Sequence, residues 1–406
     1  MRLVIENANV FDTDSLDFVG EQTIVVEDGR IASVVDAGPA SADRVVDARG
    51  RFALPGLIDA HVHFRLATLD FRRLSTMTEV EFGIIMSRLA RETVERGFTS
   101  VRDTGGELRG LLSAIAKGET VGPRIVRSGQ MISQTGGHGD VEGGHLAVPD
   151  CACQMRHTAF GIVADGPDAV RKAARHLLRE GSDFLKIHVS GGVASPSDPL
   201  DSIQYTDAEC AAAVEEADHR RTYVTAHAYL PESIQMAVRS GVKVIEHGNL
   251  IDEETARVMA EAGTIMVPTL VTYQAMSDVG AALGLPATNI EKNRSVLDAG
   301  LRSIELAAAA GVEMGYGTDL LGETQNRQND EFAIRAEVQD AKDLLRSMFQ
   351  TNPKLLKREG EIGRLTPGAA GDVVLVEGNP VDDVRVLADA ANVRTVIQAG
   401  ELICER

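Results

Sequence analysis

Between residues 55 and 359 the chain repeats one rhythm, a short apolar strand followed by a turn and a helical stretch. The strands read LIDAHVHF, TSVRD, RIVRSGQ, FLKIHVS, TYVTAHA, VKVIEHG, TIMVPTL and EMGYGTD. Most precede segments with apolar residues at helical spacing, such as EVEFGIIMSRLARETVERG and DAVRKAARHLLREG. Eight such units predict an α/β fold, a distorted (β/α)8 TIM barrel, with a doubly wound open sheet as the alternative. The barrel is favoured because polar and titratable residues stand at the C-terminal end of nearly every strand. Closure gathers all eight ends around one mouth; an open sheet does not.

The two ends of the chain read differently. LVIENANVFD, QTIVVEDGRIASVV and RVVDARG are rich in β-branched residues, with turn residues such as Asp28-Gly29 between them. DVVLVEGNP and RTVIQAGELICE repeat that pattern in the tail. They predict a small β-sandwich domain composed of residues 1–54 and 360–406, attached to a barrel domain of residues 55–359.

A formal net charge of -19 argues against nucleic acid and anionic membranes as partners, since both call for a basic surface. No apolar run is long enough to span a membrane, and the N-terminus lacks the apolar core of a signal peptide. A cytoplasmic location is the expectation. The four cysteines give neither a disulfide framework nor a zinc-ribbon spacing, and Cys151 and Cys153 read as surface-loop residues.

The strand ends carry the chemistry. His61 and His63 alternate at the end of the first strand and so share a face. Lys186 lies on the fourth strand, His227 on the fifth, His247 on the sixth and Asp319 on the eighth. Each has a plain explanation by itself: a polar cap, a snorkelling lysine, a helix-capping aspartate. Together they suit two divalent ions, zinc first among them, with manganese and cobalt fitting the same ligands. His61, His63 and Asp319 would hold one ion, and His227 and His247 the other. A lysine amine bridges poorly while protonated. Carboxylated by carbon dioxide, Lys186 becomes a bidentate ligand that, with a hydroxide, bridges the pair. Asp319 is then placed to move the proton of the attacking hydroxide to the leaving group.

PGLIDAHVHF, the strand-four lysine, the two later histidines and the final GTD resemble the amidohydrolase superfamily over nearly the whole chain. ISQTGGHGD, KIHVSGG, AHAYLP and IEHGNLI resemble its imidazolonepropionase-related branch, which contains prolidase-like metal-dependent dipeptidases. Imidazolonepropionases use one metal and lack the bridging lysine, so Lys186 argues against that activity. The resemblance implies a metal-dependent hydrolase of peptide or amide bonds with a small-molecule substrate, a dipeptide or N-acyl amino acid. Barrels of this type commonly form symmetric oligomers. A homo-oligomer is therefore expected, although no sequence feature specifies one.

His138, in GGHGD, is flanked by glycines that let the backbone turn sharply and bring the imidazole over the site, or it is only a loop histidine. Tyr229, two residues past His227, offers a hydroxyl to a substrate α-carboxylate, or is only a rim residue. The resemblance matches His138 to the carbonyl-binding position and Tyr229 to the carboxylate-binding one. His188 reads as a support in the mouth, His145 as a loop residue, and Arg102-Asp103 as a buried pair. The long segment after strand seven is mostly small and apolar, with only Asp278 and Glu291 acidic. It favours proline at the substrate's C-terminal position. Asp278 keeps open a carboxypeptidase for Xaa-Arg and Xaa-Lys dipeptides. Hydrolysis of a cyclic or aryl amide, and a metal-binding barrel without turnover, are the remaining alternatives.

Overall fold

Leu57–Val62 buries all its residues, as a strand covered on both faces must. It pairs in parallel with Phe98–Asp103, which pairs with Arg124–Arg127. A second sheet runs in the order Arg156–His157, Gly161–Val163, Met131–Ser133, Leu185–His188, Val224–Ala228, Val244–His247, Ile265–Val267. Its pairs are parallel except the first. Helices such as Glu79–Glu95 and Pro167–Arg179 alternate with these strands. The Thr78–Glu81 capping box fixes where the first of these helices starts. The fold is α/β. This computed structural model describes residues 1–36, 41–140, 156–157, 160–195 and 198–406. His145, Cys151 and Cys153 lie outside the described residues.

Two of the eight expected strands differ from their sequence reading. RIVRSGQ is shorter than read: only Arg124–Arg127 forms a strand, beside Phe98–Asp103, and a separate strand just past it, Met131–Ser133, joins the larger sheet. Gly129, at φ +71°, makes the turn between them. The eighth segment, EMGYGTD, is not a regular strand. It touches its neighbours through a Met266–Met314 bridge and an Ala60 N–H to Tyr316 O bond of 2.8 Å. The Asn352 side chain takes the place of ladder bonds, accepting from Tyr316 N–H (3.1 Å) and donating to Ile58 O (2.7 Å) and Tyr316 O (2.9 Å).

Strands from both ends of the chain form one eight-stranded sheet. Its order is Glu401–Glu405, Val393–Gln398, Val373–Val376, Phe52–Pro55, Arg2–Asp12, Asp17–Glu27 and Arg30–Val35, with Arg44–Asp47 also on Arg2–Asp12. Leu54, Val374 and Val396 share one buried cluster with Phe64, Phe98 and Tyr316, so this sheet packs against the central strands. Among the described residues, no helix is long and apolar enough to cross a membrane.

Candidate metal centre

His61, His63, Lys186, His227, His247 and Asp319 line one cavity at the strand ends, together with His138 and His188. His61 Nδ1 lies 2.7 Å from Glu246 Oε2, and His63 Nδ1 lies 3.2 Å from Gly105 O. Both partners accept, so each imidazole donates from Nδ1 and turns a bare Nε2 lone pair inward. These two Nε2 atoms are 3.2 Å apart, and each is 3.2 Å from Asp319 Oδ1. Thr104 Oγ1 also stands 3.2 Å from His63 Nε2. Three electron-pair donors facing one point repel one another unless a cation lies among them. The donor set therefore fits a metal ion, and His61, His247 and Asp319 offer ligand atoms within 4.8 Å of one another.

The second pair is also oriented. His227 Nε2 lies 3.2 Å from Gly191 O, which fixes its donor and leaves Nδ1 as the lone pair. His247 Nδ1 is 2.8 Å from Thr269 Oγ1. Burial holds both imidazoles well below the ordinary histidine range, so they are neutral, the form that binds metal. Burial also lowers the Lys186 amine to about 8, against the upward pull of Glu246 and Asp319. His61 differs: burial lowers it, but Asp319 and Glu246 more than offset this and raise it. A metal ion in place of that proton meets the same two carboxylates. His247 and Asp319 stand in the left-handed region, at φ 73° and 53°. Non-glycine residues adopt it at a cost and cluster there at functional sites.

His138 Nδ1 lies 2.8 Å from Ser195 Oγ and 3.6 Å from Asp198 Oδ2, and its ring stacks on His227 at 4.3 Å. His188, buried in the same cavity, keeps Nδ1 without a partner among the described residues. Tyr229 is buried against the rings of His227 and His247, with its hydroxyl 2.8 Å from that of Tyr273. It packs behind those two rings and is not among the residues lining this cavity. Asp278 is taken by Arg327 at 2.6 Å and by Gln274 at 2.8 Å, and Glu291 is exposed; neither lines the cavity. The apolar lining is Leu66, Met131, Ala194, Met276 and Leu321.

The expected Arg102–Asp103 pair does not form. Arg102 donates to Glu246, to Ala60 O (2.6 Å) and to Tyr223 Oη (3.2 Å). Asp103 accepts from the Phe64 and Gly105 amides, at 2.9 and 3.1 Å. Adjacent residues on a strand point to opposite faces, so they seldom pair. Glu246 is the member that sequence reasoning missed. Its signal was present: a carboxylate inside the apolar strand VKVIEHG must find a buried partner.

Imidazoles, a buried amine and an ionised carboxylate converge where strands end, a donor set suited to metal-assisted hydrolysis, and likeness to known proteins defines the class of protein as a hydrolase acting on amide bonds. Residues 52–403 match the amidohydrolase family, and the chain belongs to it. A solved prolidase, complexed with N-methylphosphonate-L-proline, is 40% identical with a TM-score of 0.95, each chain covered over 100%. A solved Xaa-Pro dipeptidase with methionine in its active site is 31% identical with a TM-score of 0.90, again over 100% of both chains. Ochratoxinase of Aspergillus niger is 29% identical over 86% of this chain and 75% of its own.

Proposed function

We propose that this amidohydrolase cleaves the amide bond of Xaa-Pro dipeptides and N-acyl-L-proline with two divalent ions, zinc first among them. The observation that carries the substrate reading is the cavity wall, apolar at Leu66, Met276 and Leu321, with Asp278 held away by Arg327. Among the described residues the one carboxylate lining the cavity is Asp319, which belongs to the ligand set, so a basic side chain would find no free carboxylate there, whereas a pyrrolidine ring buries apolar surface. The likeness to a prolidase complexed with a proline phosphonate supports the same reading. The apolar wall also suits a bulkier aryl amide, the second reading, supported by the likeness to ochratoxinase.

His61, His63 and Asp319 would hold one ion and His227 and His247 the other, with Lys186, if carboxylated, as a ligand shared between them. When bound, the ions polarise the amide carbonyl and acidify the attacking water. His138 donates a hydrogen bond to the carbonyl oxygen as its charge grows. Asp319 accepts the proton of the attacking water and returns it to the leaving nitrogen. Tyr229, its oxygen paired with Tyr273, holds the substrate carboxylate.

The same proposal covers the architecture. Asp183 N–H to Arg127 O (2.8 Å), Gly315 N–H to Met266 O (2.8 Å) and Ala60 N–H to Tyr316 O (2.8 Å) support closure of the two sheets, with the EMGYGTD segment between them, into a (β/α)8 barrel over residues 55–359. Two bulges in Arg2–Asp12 let its halves serve different neighbours, which supports a β-sandwich of residues 1–54 and 360–406.

Hydrolysis of Xaa-Pro, Xaa-Arg, Xaa-Lys and Xaa-Leu dipeptides by the zinc-loaded protein tests the substrate. A clear preference for Xaa-Pro, abolished by chelation, is expected. Preference for Xaa-Arg or Xaa-Lys, or no turnover of any dipeptide, contradicts it.

A further inference from the structure

Three of the residues that seat the His138 ring reach back to a single ammonium group. Gly192 lies against the imidazole so closely that a Cβ there would stand 2.1 Å from His138 Cε1. Ser195 and Asp198 approach His138 Nδ1 at 2.8 and 3.6 Å. Lys292 Nζ donates to the backbone carbonyls of these same three residues: Gly192 at 3.2 Å, Ser195 at 2.9 Å and Asp198 at 2.5 Å. Asn289 Nδ2 takes the two carbonyls in between, Val193 at 2.7 Å and Ala194 at 2.8 Å. Residues 289 and 292 share one face of the Ala287–Ala310 helix, at i and i+3 spacing.

We infer that Lys292 and Asn289 are positioning residues for His138: together they hold the backbone of residues 192–195 and 198, against which the imidazole is seated. The inference rests on the reading of His138 as the carbonyl-binding group. An ammonium has three donors and no acceptor, so it can hold three carbonyls at once. Lys292→Met keeps an apolar stem but removes all three donors. Gly192, Ser195 and Asp198 then lose their common anchor, and the ring loses its fixed seat. A misplacement of about 1 Å at a reacting group costs on the order of a hundredfold in rate.

The test is a double-mutant cycle on hydrolysis of an Xaa-Pro dipeptide, with metal content measured throughout. Lys292→Met is expected to lower kcat about tenfold to a hundredfold with metal content unchanged. In a His138→Ala background the same change is expected to alter kcat less than about twofold, because the group it serves is gone. Equal losses in both backgrounds, or a Lys292→Met enzyme within about twofold of wild type, overturn the inference. Should Lys292→Met fail to fold, Asn289→Ala runs through the same cycle. Amide hydrogen exchange over Gly192–Ser195 provides a readout that needs no substrate. Faster exchange there in Lys292→Met, with the central strands unaltered, supports the clamp; unchanged exchange overturns it. If the wild type turns over no Xaa-Pro dipeptide, the substrate reading fails, and the exchange result alone judges the clamp.

Discussion

Glu246 does not line the cavity, yet it orients His61, which does. One oxygen meets His61 Nδ1, and the other meets Arg102 and Thr225 Oγ1, all of them buried. The carboxylate is held well below its usual range: burial pushes it up, but Arg102 and His61 outweigh that. Glu246→Gln leaves Arg102 charged and uncompensated inside the protein, and such a break costs about 3–5 kcal/mol. Urea unfolding is expected to show a loss of that size together with weaker metal retention. A loss below about 1 kcal/mol, the range of an exposed pair, would show that the pair is not the anchor described. The histidines were legible in the sequence because polar residues interrupt apolar strands at their C-terminal ends. Glu246 interrupts an apolar strand in the same way, but its partners His61 and Arg102 could not be read from the sequence, and Lys292 and Asn289 left no signal because their partners lie far away along the chain.

At the scale of elements, alternation and helical spacing disclosed most of the central strands and the helices between them. The third and eighth strands escaped for physical reasons. Gly129 lets the chain turn after Arg124–Arg127, so that the next strand, Met131–Ser133, joins the other sheet. Asn352, on a helix well beyond the eighth segment, supplies hydrogen bonds that a ladder would otherwise make. Neither effect leaves a periodic trace. The segment after strand seven was read only as a substrate wall. It does contribute Met276 to the cavity, but its Ala287–Ala310 helix also reaches the loop that seats His138. The irregular end of the eighth segment has its own use. Asp319 N–H donates to His61 O at 2.8 Å, and Thr318 Oγ1 to Asp59 at 2.6 Å, which ties the two ends of the ligand set together.

For the whole molecule, stability should depend on pH through Glu331, which is fully buried and does not line the cavity that holds the ligand set. Desolvation raises its carboxyl to about 8, with Arg335 and the Val271 and Leu270 amides pulling the other way and Asp59 adding to the rise. Arg335 spends its donors on Gly315 O, Gln339 and Ser347, so it offsets only part of that burial. An acid whose folded value is raised keeps its proton where the unfolded chain has lost it. Its neutral form costs nothing below the unfolded value of 4.5, and stability falls as pH rises from there towards 8. Glu331→Gln should therefore gain stability over wild type progressively across that window and match it below. Urea midpoints at several pH values check this, and a constant difference would refute it. The central claim, a paired metal site spanned by Lys186, is tested most directly by metal analysis of wild type and Lys186→Ala. Two ions per chain in the wild type, with both metal and amide hydrolysis lost in Lys186→Ala, is the predicted result. One ion per chain in the wild type, or a Lys186→Ala protein that keeps two ions and full activity, would contradict it.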